Sequence, residues 1–407
     1  PRTMLRTIPL IATILVLPSL AAAQPCDGWE PPTLVAELGD TDLDESSGLV
    51  LSEQNPGVLW THNDSGDGPV LYAAALDGTA LGQWRLDGVS AVDWEDLALG
   101  PCELGGALAC LYVGDTGNNE QNRSNLAVLR VREPLLDVAS LREQPARATI
   151  EAVERFSYRF PDGNWDCESL LVDPLTSTVY LVSKVTAGAS TLYRFPTLTT
   201  NEETQLERVA EATFGGIPLF EQATTGADFA HDGSRFVVRG YGGLYVFELG
   251  PERDLAARFA GDYQSVRVDH EQQGEAVCFG PDGRSLWTST EGAPTRIQEY
   301  RCREASEEVD PEDVPDGAVE GSELTEPEPE LEPTPDGDDE VAAESEAGEL
   351  EVDGTEPLPD APPATQSSGC GCRSCGSKVR GAGASVLSLS LGLCLLTLVR
   401  LGTHKPG

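Results

Sequence analysis

The chain has 407 residues, 10 cysteines and a formal net charge of −41, a length that allows one large domain or two ordinary ones. With 68 acidic against 27 basic residues and no basic stripe to neutralise phosphates, nucleic acid is excluded as a partner. The acidity is uneven: residues 304–368 hold 24 of the acidic residues and no lysine or arginine, so the net charge describes that segment more than the rest.

Residues 1–23 read as a secretory signal peptide. Arg2 and Arg6 open it, Ile8 to Leu17 is an apolar run, and Ala21 and Ala23 give the small-x-small pattern of a cleavage site, with the cut after Ala23. The alternative is a buried N-terminal helix. Export implies an oxidising compartment, in which cysteines of a folded domain pair.

Residues 24–303 are rich in glycine and turns, with short strand-like runs and no sustained helical period. Five stretches repeat one pattern: a polar or acidic residue, an apolar run, a turn, then a second apolar run carrying an aromatic. They are Ser47-Gly48-Leu49-Val50-Leu51 with Trp60, Glu95-Asp96-Leu97-Ala98-Leu99 with Tyr112, and Glu168-Ser169-Leu170-Leu171-Val172 with Tyr180. Thr225-Gly226-Ala227-Asp228-Phe229 with Phe236 and Glu275-Ala276-Val277-Cys278-Phe279 with Trp287 complete the set. Third strands follow most pairs, at Val70 to Leu76, Leu126 to Arg132, Leu192 to Phe195 and Gly243 to Leu249. Four short strands recurring at roughly 50-residue intervals predict an all-β propeller. The count is five four-stranded blades, or six if the long interval from Glu95 to Glu168 hides a degenerate one; the alternative is a β-sandwich. The fifth unit lacks an outer strand, and Thr33 to Leu38 is the segment that would close the ring by pairing the two ends.

Several of these runs give the domain a diffuse likeness to a known family. Asp93-Trp94-Glu95-Asp96-Leu97-Ala98, Glu168 to Pro174 and Gly274 to Gly283 pair an acid-rich strand start with Asp-Gly turns and Leu-Tyr or Leu-Trp runs, and His62 to Asp67 and Tyr112 to Asp115 share the look. In this the domain resembles the six-bladed, phytase-like (TolB-like) propellers. The resemblance implies fold more than activity, since one fold hosts many functions.

In a propeller the first strand of each blade runs along the channel, so strand starts and the ends of the second strands emerge on one face. That face collects Ser47, Glu95, Glu168, Thr225 and Glu275, with Glu45, Asp93, Asp166, Ala223 and Gln273 two residues earlier, on the same side wherever the chain is extended. Asn63 with Asp64, Asp115, Ser183 with Lys184, Arg239 and Glu291 join them from the second strands. The expectation is a carboxylate-rich mouth with two cations, binding a ligand or surface partner through Asp93, Glu95, Glu168, Lys184, Arg239, Glu275 and Glu291. Hard oxygen ligands on loops suit Ca²⁺, and Asn63, Asp64, Asp67, Asp115 and Asn119 are the candidate ligands. Asp40-x-Asp42-x-Asp44 alternates in the same way. None of these loops has the acidic twelfth residue of an EF-hand, and turn chemistry alone accounts for Asp, Asn, Ser and Gly there.

Serine-elbow, zincin, P-loop and dinucleotide signatures are all absent from the sequence. His62, His231 and His270 are the histidines of the domain, and His62, Glu95 and Glu275 are the candidates for acid–base work. A metal-assisted phosphoesterase would use carboxylates to hold Ca²⁺ and Lys184 or Arg239 to steady phosphate oxygens. Of the six domain cysteines, Cys102 and Cys110 flank a turn and suit a local bridge, Cys26 with Cys302 would staple the ring, and Cys167 with Cys278 follows by elimination.

Residues 304–368 form an acidic Pro/Glu-rich stalk that cannot bury enough apolar surface to offset the entropy of ordering. Residues 369–381 hold Gly369-Cys370-Gly371-Cys372-Arg373-Ser374-Cys375-Gly376, residues 382–400 a candidate transmembrane helix whose stretch from Ala382 to Val399 is apolar and uncharged and is followed by Arg400, and residues 401–407 a short tail. This end resembles the myxobacterial C-terminal sorting signal. The length of the apolar run is near the lower limit for a membrane-spanning anchor; the resemblance implies processing by a sorting protease near Cys370 and Cys372 and attachment to the surface through a lipid. A zinc knuckle lacks its fourth ligand. The whole reads as an exported, surface-anchored propeller that binds a ligand at an acidic, calcium-loaded mouth. The runner-up is a calcium-dependent hydrolase on the same face, and a purely structural envelope protein is the third reading.

Overall fold

The computed structural model describes residues 26–106, 109–216, 219–268, 271 and 273–303; the signal, stalk, sorting motif and anchor expected from the sequence lie outside the described residues. Among those described, no helix is long and apolar enough to cross a membrane.

Five antiparallel-cored sheets form the blades of an all-β propeller. Their innermost strands are Ser46–Leu51, Trp94–Pro101, Cys167–Val172, Thr224–Phe229 and Gly274–Phe279, in blades 1 to 5. Each innermost strand packs against the next in chain order, and the fifth packs against the first, which closes the ring. These strands are buried along nearly their whole length, because a blade is covered on both faces by its neighbours. That is why they read as continuous apolar runs rather than as an alternation.

The core is divided into five clusters, one at each junction between blades. Trp60, Trp84, Leu97 and Leu111 fill the junction of blades 1 and 2, and Leu38, Leu49, Ala276 and Ile297 that of blades 5 and 1. The recurrent aromatic of each second strand lies in these junctions. In blade 4 Phe236 stacks on Phe247 with centroids 4.5 Å apart.

Closure follows the sequence expectation. Thr33–Glu37 pairs antiparallel with Arg296–Arg303 as the outer strand of blade 5, Gly28–Trp29 pairs with the far end of the same strand, and Cys26 is bonded to Cys302. Cys102 is bonded to Cys110. The third expected bridge is corrected: Cys167 and Cys278 are free and buried, packed into different junctions, blades 2–3 and blades 5–1.

The long interval after Glu95 hides no sixth blade. It holds a short helix, Val138–Glu143, and a strand, Ala146–Ile150, that adds to the outside of blade 1 parallel to Ala80–Leu86. Gly82 permits this: a Cβ there would lie 2.4 Å from the Ala146 carbonyl oxygen. Three sheets have five strands rather than four: Ala146–Ile150 extends blade 1, Thr204–Gln205 extends blade 2, and Gly28–Trp29 with Thr33–Glu37 extends blade 5.

Candidate functional site at the channel mouth

In every blade the pairing of the innermost strand with the second strand skips one residue. The unpaired residues are Ser47, Glu95, Glu168, Thr225 and Glu275. A β-bulge leaves its extra residue outside the ladder and re-aims the side chain, so the same irregularity, repeated five times, marks out one ring position. In blades 1 and 4 that position is a hydroxyl spent on the next blade: Ser47 Oγ donates to the Glu95 carbonyl and Thr225 Oγ1 to the Gly274 carbonyl at 3.2 Å. In the other three blades it is a glutamate.

Carboxylate oxygens of Asp64, Asp93 and Glu95 lie within 4.8 Å of one another, and so do those of Glu95, Asp166 and Glu168. Glu95 belongs to both groups. It is 4 % exposed, and among the described residues its carboxylate has no hydrogen-bond partner. Burial, then the neighbouring Glu168 carboxylate, push the Glu95 carboxyl well above its ordinary range. Burial does the same to Glu168, against the pull of Lys184, and raises Asp93 and Asp166. Asp64 is pushed up to about 6, by burial first and then by Asp93, Glu291 and Glu45. The backbone crowds the cluster too: a Cβ at Gly117 would stand 1.9 Å from Glu95 Oε1 and 2.5 Å from Asp93 Oδ2.

Lys184 is a cation of the mouth, and Arg123 also pulls on Asp93 and Asp166. The Lys184 Nζ pairs with Glu168 and lies 3.4 Å from the Tyr241 hydroxyl and 5.4 Å from the centre of that ring. The Tyr241 hydroxyl donates to Glu275 Oε1 at 3.2 Å. Glu275, pushed up to about 7 chiefly by burial and held down by Lys184 and Arg239, thus joins the ring through Tyr241 and Lys184. Asp93, Glu95, Glu168, Lys184 and Glu275 are brought together at one opening. Glu291 faces the same electrostatic neighbourhood and accepts a 2.6 Å bond from Gln273.

Other expected residues are engaged elsewhere. Arg239 is 1 % exposed and points into blade 5, donating to the Ala276 carbonyl at 2.8 Å and pairing with Glu271. Asn63 caps the preceding loop, accepting from the Asp44 and Glu45 amides at 3.2 Å and donating to Asp67 at 2.9 Å. Asp115 is fully buried against Arg123 at 2.6 Å, and Asn119 is exposed. Of the five candidate calcium ligands, Asp64 is the one in a carboxylate group.

His62 is fully buried, with Nδ1 2.8 Å from the Asn63 carbonyl and its ring edge-on to Trp94 at 5.5 Å. Burial lowers it to about 4, so at neutral pH it is an uncharged packing residue behind the bulge. His270 lies outside the described residues. Asp166, placed near the ring by the strand period, ranks with Glu95 as a prospective ligand.

Sequence reasoning missed Asp96 and Asp228, which lie deeper along the axis. Asp96 is fully buried, and its carboxylate accepts from the amides of Leu97 at 2.8 Å, Leu170 at 2.7 Å and Ala227 at 3.0 Å. One side chain thereby pins blades 2, 3 and 4. Asp228 accepts from the Phe279 amide at 2.8 Å and ties blade 4 to blade 5. The available signal was an aspartate inside an otherwise apolar run, a place that only backbone donors can make tolerable.

No protein-family model matches the chain, and no curated protein does. Among solved structures it is similar to a provisionally assigned 6-phosphogluconolactonase from Bacteroides fragilis NCTC 9343, at 11 % identity and a TM-score of 0.33 over 62 % of this chain and 79 % of that one. It is also similar to one from Bacteroides uniformis ATCC 8492, at 15 % identity and a TM-score of 0.32 over 66 % and 75 %. At these scores the likeness carries no chemistry over.

Proposed function

We propose that the protein is an exported, surface-anchored binding propeller whose acidic mouth holds calcium, and that the metal recruits an oxyanion-bearing ligand. Glu95 supports this most directly: a buried carboxylate without a hydrogen bond, shared by two groups of carboxylates. Such crowding is costly unless protons or cations compensate it. The donors that would hold the metal are Asp64, Asp93, Glu95, Asp166 and Glu168, all hard oxygens, which fits calcium better than a transition metal. A bound cation supplies Lewis acidity and an attachment point for an anionic group. Lys184 and Tyr241 flank that point and orient the ligand. Export and anchoring rest on residues 1–23 and 369–407.

Binding is preferred to hydrolysis because His62 is sealed and Arg239 is spent on blade 5, so neither presents itself as a base or phosphate clamp. The test is a thermal melt of the purified protein with Ca²⁺ and with chelator. Saturating calcium, at about 100 times its Kd, should add about 2.7 kcal/mol, or roughly 5–10 °C. Glu95→Gln should abolish the gain without lowering the chelated melting point. An unchanged melting point on adding calcium would refute the metal reading, and calcium-dependent turnover of a phosphoester would favour the hydrolase.

A further inference from the structure

The opposite end of the channel carries a second cavity, of about 350 Å³, where the innermost strands of blades 1 to 4 end. Its lining includes Glu53, Gln54, Leu99, Pro101, Phe229 and His231. His231 follows the innermost strand of blade 4 and Glu53 that of blade 1, yet His231 Nδ1 meets Glu53 Oε1 at 2.6 Å. Blades 1 and 4 are not neighbours in the ring, so this pair spans the opening. Among the described residues, His231 Nε2 has no hydrogen-bond partner.

The surroundings are negative. Asp228 lies within electrostatic reach beneath the pair and Asp232 beside it, while no lysine or arginine lines the cavity. Arg253, on the next turn, is held by Asp173 at 3.0 Å and by the Gly233 carbonyl. The imidazole is therefore the cation that the site supplies for itself, and Leu99, Pro101 and Phe229 give it an apolar wall.

We propose that this far mouth binds a small organic ammonium compound, its charged nitrogen on Glu53 in the place the His231 imidazolium takes and its hydrocarbon part against Leu99 and Phe229. A pocket of this size with one charged anchor and an apolar wall is the ordinary form of a small-molecule site. Imidazolium and ligand compete for one carboxylate. Burial draws the His231 proton off, but Glu53 and Asp228 hold it on at a higher pH than an ordinary histidine. Affinity for the ammonium therefore rises as pH climbs through that titration, as long as the amine itself stays protonated. The site shares no residue with the calcium mouth and stands or falls apart from it.

The experiment is calorimetric titration of the full chain with butylammonium, with 1-butanol as the neutral control, alongside the His231 ring resonance, one of four histidines in the chain. Saturable binding at about millimolar Kd is expected for so small a ligand, tightening roughly five-fold or more from about pH 6 to about pH 8. Glu53→Gln, a half-exposed position, should abolish it, with little change in the melting point at high pH, where the imidazole has lost its proton. His231→Gln should keep the binding and lose the pH dependence. Chelator and Glu95→Gln should change nothing. The proposal is overturned by an equal response to 1-butanol, by binding that survives Glu53→Gln, or by no saturation up to about 100 mM.

Discussion

Glu95, Glu168 and Glu275 stand on the bulges of blades 2, 3 and 5, buried and with more carboxylates than cations around them, and their titration carries a signature. Asp64 is raised from 3.8 to about 6 and Glu275 from 4.5 to about 7. Both bind protons more tightly folded than unfolded, so their contribution is present at low pH and is lost as pH rises through the window from about 4 to about 7. Urea melts in chelator should show stability falling across that window. Calcium, which competes with the protons, should flatten the fall, and its apparent affinity should strengthen with pH over the same range. A second residue-scale prediction concerns Gly117. Alanine there would put a methyl into the space between Glu95 and Asp93, so Gly117→Ala should weaken calcium binding at least ten-fold, read by calorimetry, with small change in the chelated melting point.

At the scale of elements, strands, turns and the closing segment were readable because each blade repeats one polar-then-apolar pattern. The five ring positions were legible as strand starts, but not as bulges: a skipped residue looks in sequence like any other residue of a strand. The pairing partners, set by the second strands, create the bulge. For the same reason the loop residues Asn63, Asp67 and Asp115 looked like ligands. Their residue types suit calcium and turn-making equally; here Asn63 Oδ1 is taken by two backbone amides, Asp67 by the Gly68 amide with Asn63 and Tyr72, and Asp115 Oδ1 by the Asp93 amide and Arg123. Asp96 is the converse, a carboxylate whose value appears only when strands of three blades aim amides at it. Asp96→Asn replaces one acceptor oxygen by a donor facing those amides. It should destabilise the protein by about 2–4 kcal/mol, measured by denaturant unfolding, whereas Glu95→Gln at the adjacent position should not.

For the whole molecule, ring closure depends on contacts between the two ends of the described chain. Thr33–Glu37 completes blade 5, and the Cys26–Cys302 bond spans 276 residues, a loop long enough for a cross-link to restrict the unfolded chain strongly. The double substitution Cys26→Ser with Cys302→Ser should cost about 2–5 kcal/mol, seen as a lower denaturant midpoint. Loss of the local Cys102–Cys110 bond, which spans 8 residues, should cost less.

Apolar periodicity and the recurrence of one unit were enough to determine an all-β propeller of five or six blades with its ends joined, since strand formation and burial are set by side-chain types at short range. The count of five waited on where Ala146–Ile150 pairs. The tertiary structure alone decided which acidic residues share an opening, which are pinned by amides of other blades, and which histidine meets a carboxylate across the axis. Those outcomes depend on partners distant in the chain, and residue type carries no information about where a neighbouring blade places its donors.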